Sequence, residues 1–302
     1  MKKRIFSLLL VLAMLVTVSA FAVEATDITE TPITYEPAVE TAGGDTGTLT
    51  FWCDHCKDNV DWVKATASNA SNRGKYLNFN SSRHAYVNST GLTVQGYAAI
   101  GSDKCLYLKG TVTTNGPGGT DKTRADTFRF NSTNGADIDL AVMGTGSIVS
   151  TSTYPVFNYT TNPSVSKLHL YGVTIDASGT SCYGSIVRVS ATATNAEINI
   201  HGATLIGSPR VTAGNGGAIY SSGDIKGTAS FWMTSGTIKG GAISGGDRYG
   251  GNVYLGTDST FTMDGGTIEG GRISATGEAV GGNVYMGSGA TVTINGGTIK
   301  DG

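Results

Sequence analysis

The chain has 302 residues, of which 44 are Gly and only 6 are Pro, and 15% are charged. Glycine at this density without a Gly-X-Y triplet excludes collagen. A formal net charge of −2 with no basic patch argues against nucleic acid or an anionic membrane as a partner. The apolar residues come in short bursts rather than helical stripes, which favours an all-β protein.

The first 22 residues, MKKRIFSLLLVLAMLVTVSAFA, have the form of a secretory signal peptide. Three basic residues precede an apolar run, which ends in the small-residue cleavage site Ala-Phe-Ala. The alternative is an uncleaved membrane anchor, although the run is short for a span. We expect an extracellular or cell-surface protein with no membrane insertion after cleavage. Residues 23–50, rich in Thr, Glu, Pro and Ala, are predicted to be a flexible linker.

A repeat fills the C-terminal part of the chain. The motif GGNVY begins at Gly250 and again at Gly281, and a looser copy, GGAIY, begins at Gly216. A Thr-Ile or Thr-Leu element recurs with it, and its successive apolar residues are 30, 33, 30 and 31 residues apart. These residues are Ile175, Leu205, Ile238, Ile268 and Ile299. A nearly fixed period of this length is typical of stacked repeats.

Each repeat contains three short alternating segments separated by Gly-rich turns, as at 252–255, 260–263 and 266–269. Such strands are too short to be stable alone, but stacking copies from successive repeats buries their apolar faces and pairs their backbones. The sequence therefore predicts an all-β, right-handed parallel β-helix (a solenoid) with three short strands per coil over residues 113–302. Residues 51–112 are predicted to form a small Cys-containing N-terminal cap and the first coil.

The inward-facing columns follow from the alternation. The predicted second-strand pairs are Ile138/Leu140, Leu168/Leu170, Ile198/Ile200, Phe231/Met233, Phe261/Met263 and Val292/Ile294. The predicted third-strand column is Ile148, Ile175, Leu205, Ile238, Ile268 and Ile299. Burying each such side chain stabilises the fold by roughly 1.5–3 kcal/mol.

The pattern GGNVY…TFTMDGGTIEGG resembles the right-handed β-helix repeats of large secreted adhesin-like proteins of Gram-positive (Firmicutes) gut bacteria. The resemblance is clear over residues 200–302 and weaker over 105–200. It implies a non-catalytic scaffold, secreted or at the cell surface, that binds glycans or host surfaces. The repeat is specific for a fold and poorly specific for a function.

The segment FWCDHCKDNVDW contains Cys53-x-x-Cys56 and resembles an element that precedes the first coils of the same proteins. His84 and Cys105 occupy the matching places of the two strands that follow, although Ala85 departs from the Tyr of that element. These four residues would make a closed Cys₃His set suited to structural zinc. Two alternatives stay open: a Cys53–Cys56 disulfide, which secretion permits, and free thiols.

An enzyme is the alternative function, since the same fold carries pectate lyases and polygalacturonases that act on acidic polysaccharide. Such enzymes need carboxylates clustered on one face. The column before the third strand holds one carboxylate, Asp264, and the column Lys239, Glu269, Lys300 is typical of an exposed ladder of alternating charge. Asp247-Arg248 with Asp258 is a weak lyase-like group.

Tyr220, Tyr254 and Tyr285 recur once per coil. If the apolar neighbours of Tyr254 face inward, the rings face outward, and Asn252 and Asn283 are expected beside them. Exposed aromatic faces flanked by amides are suited to stacking on sugar rings. The alternatives are a row that only covers the sheet, or a flipped strand with Tyr in the core.

Gly302 follows the third strand of the last repeat directly, without a capping element. An open row of backbone groups invites edge-to-edge pairing, and terminal repeats usually differ to prevent it. We therefore expect either a piece of a longer protein or self-association through this end.

Overall fold

The computed structural model describes residues 47–116, 126–130, 137–160, 165–190, 193, 195–212, 214–221 and 229–302. The predicted signal peptide and most of the predicted linker lie outside these residues. The linker prediction is wrong at its end, because residues 48–50 already belong to the strand Thr48–Cys53. None of the described residues forms a helix with the length and apolar character needed to cross a bilayer.

Three sheets run along the molecule, and each collects one of the three predicted strands of every coil. The first-strand sheet has seven strands: Ala98–Ile100, Phe128–Phe130, Phe157–Tyr159, Val187–Val189, Ile219–Ser221, Val253–Leu255 and Val284–Met286. The second-strand sheet has ten: Thr48–Cys53, Asp58–Lys64, His84–Val87, Lys104–Leu108, Ile138–Gly144, Ser166–Tyr171, Ala196–His201, Ala229–Met233, Thr260–Met263 and Thr291–Ile294. The third-strand sheet has eight: Leu92–Val94, Thr111–Thr114, Ser147–Ser150, Thr174–Asp176, Thr204–Ile206, Thr237–Lys239, Thr267–Glu269 and Thr298–Lys300.

Within the coils, neighbouring strands of each sheet pair in parallel, which confirms the predicted parallel β-solenoid. The third-strand column is also as predicted: Ile148 pairs with Ile175, and the register continues coil by coil to Ile299. Side chains of this column are fully buried from Ile148 to Ile268. The core is therefore one continuous apolar stack between the three sheets.

The second-strand column contains one wrong prediction. Leu140 pairs with Leu168 and Val142 pairs with Leu170, so Ile138 faces Ser166 instead. The strand has three buried apolar residues in alternation, Ile138, Leu140 and Val142. Spacing alone does not decide whether the first two or the last two of them pair with Leu168 and Leu170. A shift of two residues keeps the same face inward, so only the backbone pairing decides the register.

Two further short sheets were not predicted. In the loops that follow the third strand, Ala242–Gly245 pairs with Arg272–Ala275, and Arg248–Tyr249 pairs with Ala279–Val280. These loops are long enough in successive repeats to stack as the main strands do. The last coils thus carry a side extension beside the three main strands.

The cap is built from two antiparallel hairpins, Thr48–Cys53 with Asp58–Lys64 and Thr66–Ala70 with Gly74–Asn78. The first hairpin joins the end of the second-strand sheet, where Val63 pairs with Ala85. Its side chains also pack on the outer face of that sheet: Phe51 stacks on Trp62 with ring centroids 4.9 Å apart and meets Tyr107 edge-on at 4.7 Å. This second apolar cluster is separate from the interior core. The packing holds the turn at residues 54–57 over the outer face of the first coils.

Candidate functional site

The four residues of the predicted Cys₃His set come together. Cys53 ends the first strand of the hairpin, and Cys56 lies in the turn that follows, which the Lys57 amide closes by donating to the Cys53 carbonyl at 2.8 Å. His84 and Cys105 are register partners on adjacent parallel strands, so their side chains share the outer face. The turn lies over this pair and completes the group.

The ligand atoms of the set lie within 4.8 Å of one another. Cys56 Sγ is 3.9 Å from Cys105 Sγ and 3.2 Å from His84 Nε2. Two thiolates on one tetrahedral zinc, with Zn–S bonds near 2.3 Å, are about 3.8 Å apart. A disulfide would need a sulfur separation of about 2 Å, and all four cysteines of the chain are free in the structure. The group can therefore hold a metal ion.

The electrostatics of the set suit a ligand site. A hydrogen bond from the Cys105 thiol lowers the pKa of the Cys53 thiol to about 6. The same hydrogen bond raises the pKa of Cys105, because that thiol is the donor to an acceptor that is easily ionised. Burial lowers the pKa of His84, so the imidazole is neutral at pH 7. A thiolate and a neutral imidazole are the forms that bind zinc.

A second group of metal-binding residues lies beside the first, and the sequence reasoning missed it. It consists of His55, Asp139 and His169, whose ligand atoms also lie within 4.8 Å of one another. His55 Nε2 is 3.0 Å from one Asp139 oxygen, and His169 Nε2 is 3.5 Å from the other. The His55 and His169 rings are 4.8 Å apart by their centroids.

The second group is assembled from three distant parts of the sequence. His55 comes from the cap turn, while Asp139 and His169 lie on the outer face of adjacent strands, with Ala141 as the register partner of His169. Burial lowers the pKa of His169 to about 4. Burial opposes ionisation of Asp139, but the hydrogen bond and charge of His55 lower the pKa of that carboxyl overall.

Aromatic rings continue this face. The Tyr171 ring stacks on His201 at 4.8 Å, and His201 meets Trp232 edge-on at 5.8 Å. Burial lowers the pKa of His201 to about 4, and its Nδ1 is 3.0 Å from the Thr234 hydroxyl oxygen. His201 is thus held as a neutral packing residue rather than as a member of either group.

The tyrosine row (Tyr220, Tyr254 and Tyr285) lies on the first-strand sheet. Tyr220 pairs with Tyr254 and Tyr254 with Tyr285, while Val253 and Leu255 are fully buried, so the rings face outward as expected. Successive ring centroids are 5.2 Å apart. Because the rings stack nearly parallel, they cover each other's faces and present their edges and hydroxyls. Tyr183 meets Tyr220 edge-on at 4.8 Å, and Tyr249 contacts Tyr285 at 4.7 Å with tilted rings.

The expectation that Asn252 and Asn283 flank the rings on the outside is wrong. Asn252 is 0% exposed and Asn283 is 6% exposed. Asn252 Oδ1 accepts from the Gly241 amide at 2.8 Å, and its Nδ2 donates to Asn283 Oδ1 and to the Glu269 carbonyl, both at 2.8 Å. These amides form an internal ladder that holds the loop after the third strand against the next first strand.

The asparagine ladder also explains why a glycine precedes each of the loops that follow the third strand. A Cβ at Gly241 would lie 2.3 Å from the Gly251 carbonyl oxygen and 2.8 Å from Asn252 Oδ1. A Cβ at Gly271 would meet Gly282 and Asn283 in the same way. The Gly and Asn residues of the repeat are therefore structural, since only glycine permits this close approach.

In the weak lyase-like group, the side chains of Arg248 and Asp247 form hydrogen bonds with the backbone. Arg248 donates to the backbone carbonyls of Ser244, Asp247 and Thr212 at 2.8, 2.6 and 3.0 Å. Asp247 accepts from the Glu278 amide. Asp264 accepts from Trp232 Nε1 and from Asn295 Nδ2. The column Lys239, Glu269, Lys300 is in register, with Lys300 Nζ 3.2 Å from Glu269, as expected for a charge ladder.

Comparison of the chain with protein-family models, with curated proteins and with solved structures finds no match. The assignment to adhesin-like proteins of gut bacteria has no support from these comparisons, and the parallel β-solenoid rests on the structure itself.

Proposed function

We propose that the protein is a secreted, non-catalytic β-solenoid scaffold whose tyrosine row binds an extended glycan. The observation that carries the proposal is the regular outward row, with one ring per coil at 5.2 Å. A linear polysaccharide laid parallel to the solenoid axis would meet an equivalent tyrosine at each coil. Repetition of one weak contact along a polymer raises the overall affinity without any deep pocket.

The proposed contact with sugar differs from the face-on stacking expected from the sequence, because each tyrosine ring covers the face of its neighbour. Contact with a glycan would be made through ring edges and phenol hydroxyls, which donate and accept hydrogen bonds. Tyrosine suits such a surface because a large, amphipathic ring is held with little loss of side-chain freedom. We expect sugar hydroxyls to bridge neighbouring phenols along the row.

A glycan array followed by affinity measurements with oligosaccharides of increasing length tests this proposal. Affinity should rise with length up to about three units and should fall several-fold in Tyr254→Ala. Tyr254→Phe keeps the ring and removes the hydroxyl, so it should show a similar loss if hydrogen bonding dominates. Thr262→Ala, on the outer face of another sheet, is the matched control. No binding by the wild-type chain, or equal binding by Tyr254→Ala in a folded state, would refute the proposal.

We also propose that the ion held by Cys53, Cys56, His84 and Cys105 is structural zinc. Three thiolates and an imidazole fill a tetrahedral shell and leave no position for substrate. Cys53 and Cys105 are 0% and 1% exposed, whereas Cys56 and His84 are half-buried. The ion would tie the cap turn to the first two coils.

Metal analysis of the purified chain tests the identity of the ion. We expect zinc in the preparation and the loss of one ion per chain in Cys56→Ser, whereas Cys182→Ser should keep that ion because Cys182 lies outside the set. A zinc-free protein with two fewer titratable thiols under denaturing conditions would support the Cys53–Cys56 disulfide instead. That result would leave the glycan proposal intact.

A further inference from the structure

We propose that His55, Asp139 and His169 form a second metal site, one that keeps an open coordination position. The group stands beside the Cys₃His set but shares no residue with it. The cap turn supplies one ligand to each through adjacent residues, His55 to the second group and Cys56 to the first. Both groups therefore depend on the same packing of the hairpin on the outer face.

The spacing of the donor atoms fits one ion. Ligands bound at 2.0–2.2 Å in tetrahedral geometry lie about 3.4 Å apart. The two Asp139 oxygens are 3.0 Å from His55 Nε2 and 3.5 Å from His169 Nε2. An ion placed between the carboxylate and the two imidazoles would need only small side-chain movements.

The polar groups around the site are compatible with a cation at its centre. The Tyr171 hydroxyl lies 3.5 Å from Nδ1 of both His55 and His169. Without an ion, His55 Nε2 donates to Asp139. With an ion bound, the Tyr171 oxygen would accept from both Nδ1 groups, and both Nε2 lone pairs would then be free to bind the ion. Asp139 Oδ1 is buried and has no hydrogen-bond partner among the described residues. A cation satisfies this oxygen and both lone pairs together, and Tyr171 then orients the ligands from behind.

The donor set selects the class of ion. Two imidazoles and one carboxylate suit a divalent first-row transition ion such as Zn²⁺, whereas Ca²⁺ and Mg²⁺ prefer oxygen ligands. Three protein ligands leave at least one position for water or another small ligand. The side chains of His55, Asp139 and His169 are 15%, 26% and 17% exposed, so solvent reaches the site.

Zinc stoichiometry of the folded full chain after dialysis against Zn²⁺ provides the test. The wild-type chain should hold about two ions, and Asp139→Asn and His169→Ala about one each. Glu197→Gln is the matched control, because Glu197 lies in the same outward row and pairs with Lys167. This control should keep both ions. Far-UV circular dichroism checks that each variant is folded.

Replacement by Co²⁺ distinguishes the two sites by their spectra. The Cys₃His site should give intense thiolate-to-cobalt charge-transfer bands in every variant. The second site should add only weaker d–d bands, which sodium azide should shift and which both site variants should lack. Metal bound only through thiolates in the wild-type chain, unchanged stoichiometry in the variants, or loss of the thiolate bands with the second site would each overturn the proposal.

Discussion

The first coils and the last coils share one backbone plan but use their outer faces in opposite ways. In the last coils, equivalent positions carry the same residue or charges of alternating sign, so tyrosines, asparagines and charged residues form rows. In the first coils the outward column reads His84, Cys105, Ala141 and His169, and no two neighbouring coils carry the same residue there. Repeated residues thus form extended rows on the surface. Where the repeat is broken, residues that are distant in the sequence form compact clusters.

Loss of the metal cluster is expected to have the largest effect and to be confined to the capped end. Cys105→Ser removes a buried ligand and should destabilise the cap by several kcal/mol, since structural zinc contributes about 10–16 kcal/mol in small zinc-binding peptides. Thermal unfolding with and without chelator measures this loss. Cys182→Ser is the control and should respond to chelator as the wild-type chain does. Equal stability of Cys105→Ser and wild type would contradict a metal-clamped cap.

Truncating core residues compares a buried position of the third-strand column with a partly exposed one. Ile268 is fully buried, whereas Ile299, its partner in the last coil, is 38% exposed. Ile268→Ala should lower the free energy of unfolding by about 2–5 kcal/mol. Ile299→Ala should cost less than about 1 kcal/mol, because less apolar area returns to water. Denaturant unfolding of both variants gives the two losses in free energy of unfolding. Similar losses would contradict this expectation and would show that Ile299 is buried in solution. Self-association through the last coil would bury it.

The asparagine ladder should show a smaller effect. Asn252→Ala leaves the Gly241 amide and the Glu269 carbonyl without their side-chain partner, and it should cost about 1–3 kcal/mol. Asn199→Ala, at an outward position of the second-strand sheet, is the control and should stay within about 0.5 kcal/mol of wild type. A cost for Asn252→Ala no larger than that of the control would show that the ladder does not support the coil.

The sequence predicted the regular coils more completely than it predicted the capped end. The third-strand column from Ile148 to Ile299 was predicted residue by residue, because a fixed period and alternation determine it. The register of Ile138–Gly144 was missed because three alternating apolar residues fit either frame. Cys53, Cys56, His84 and Cys105 were found through a motif.

The second metal group had no comparable signal in the sequence. His55 was visible only as a residue inside the C-x-x-C segment, and Asp139 and His169 lie in degenerate coils. Their proximity depends on how the hairpin packs over the outer face, which neither spacing nor alternation encodes. The burial of Asn252 was likewise missed, because it depends on the path of a loop rather than on a strand pattern.

Hydrogen exchange along the chain, with and without a zinc chelator, tests most directly the claim that the capped end is metal-clamped and the regular coils support themselves. We expect the chelator to reduce protection in peptides that contain Cys53, His84 and Cys105, while peptides covering Val253–Leu255 and Thr267–Glu269 keep theirs. Stacked repeats depend mainly on their nearest neighbours, so the effect should fade along the solenoid. Unchanged protection at the cap after metal removal, or an equal loss in all coils, would contradict the account.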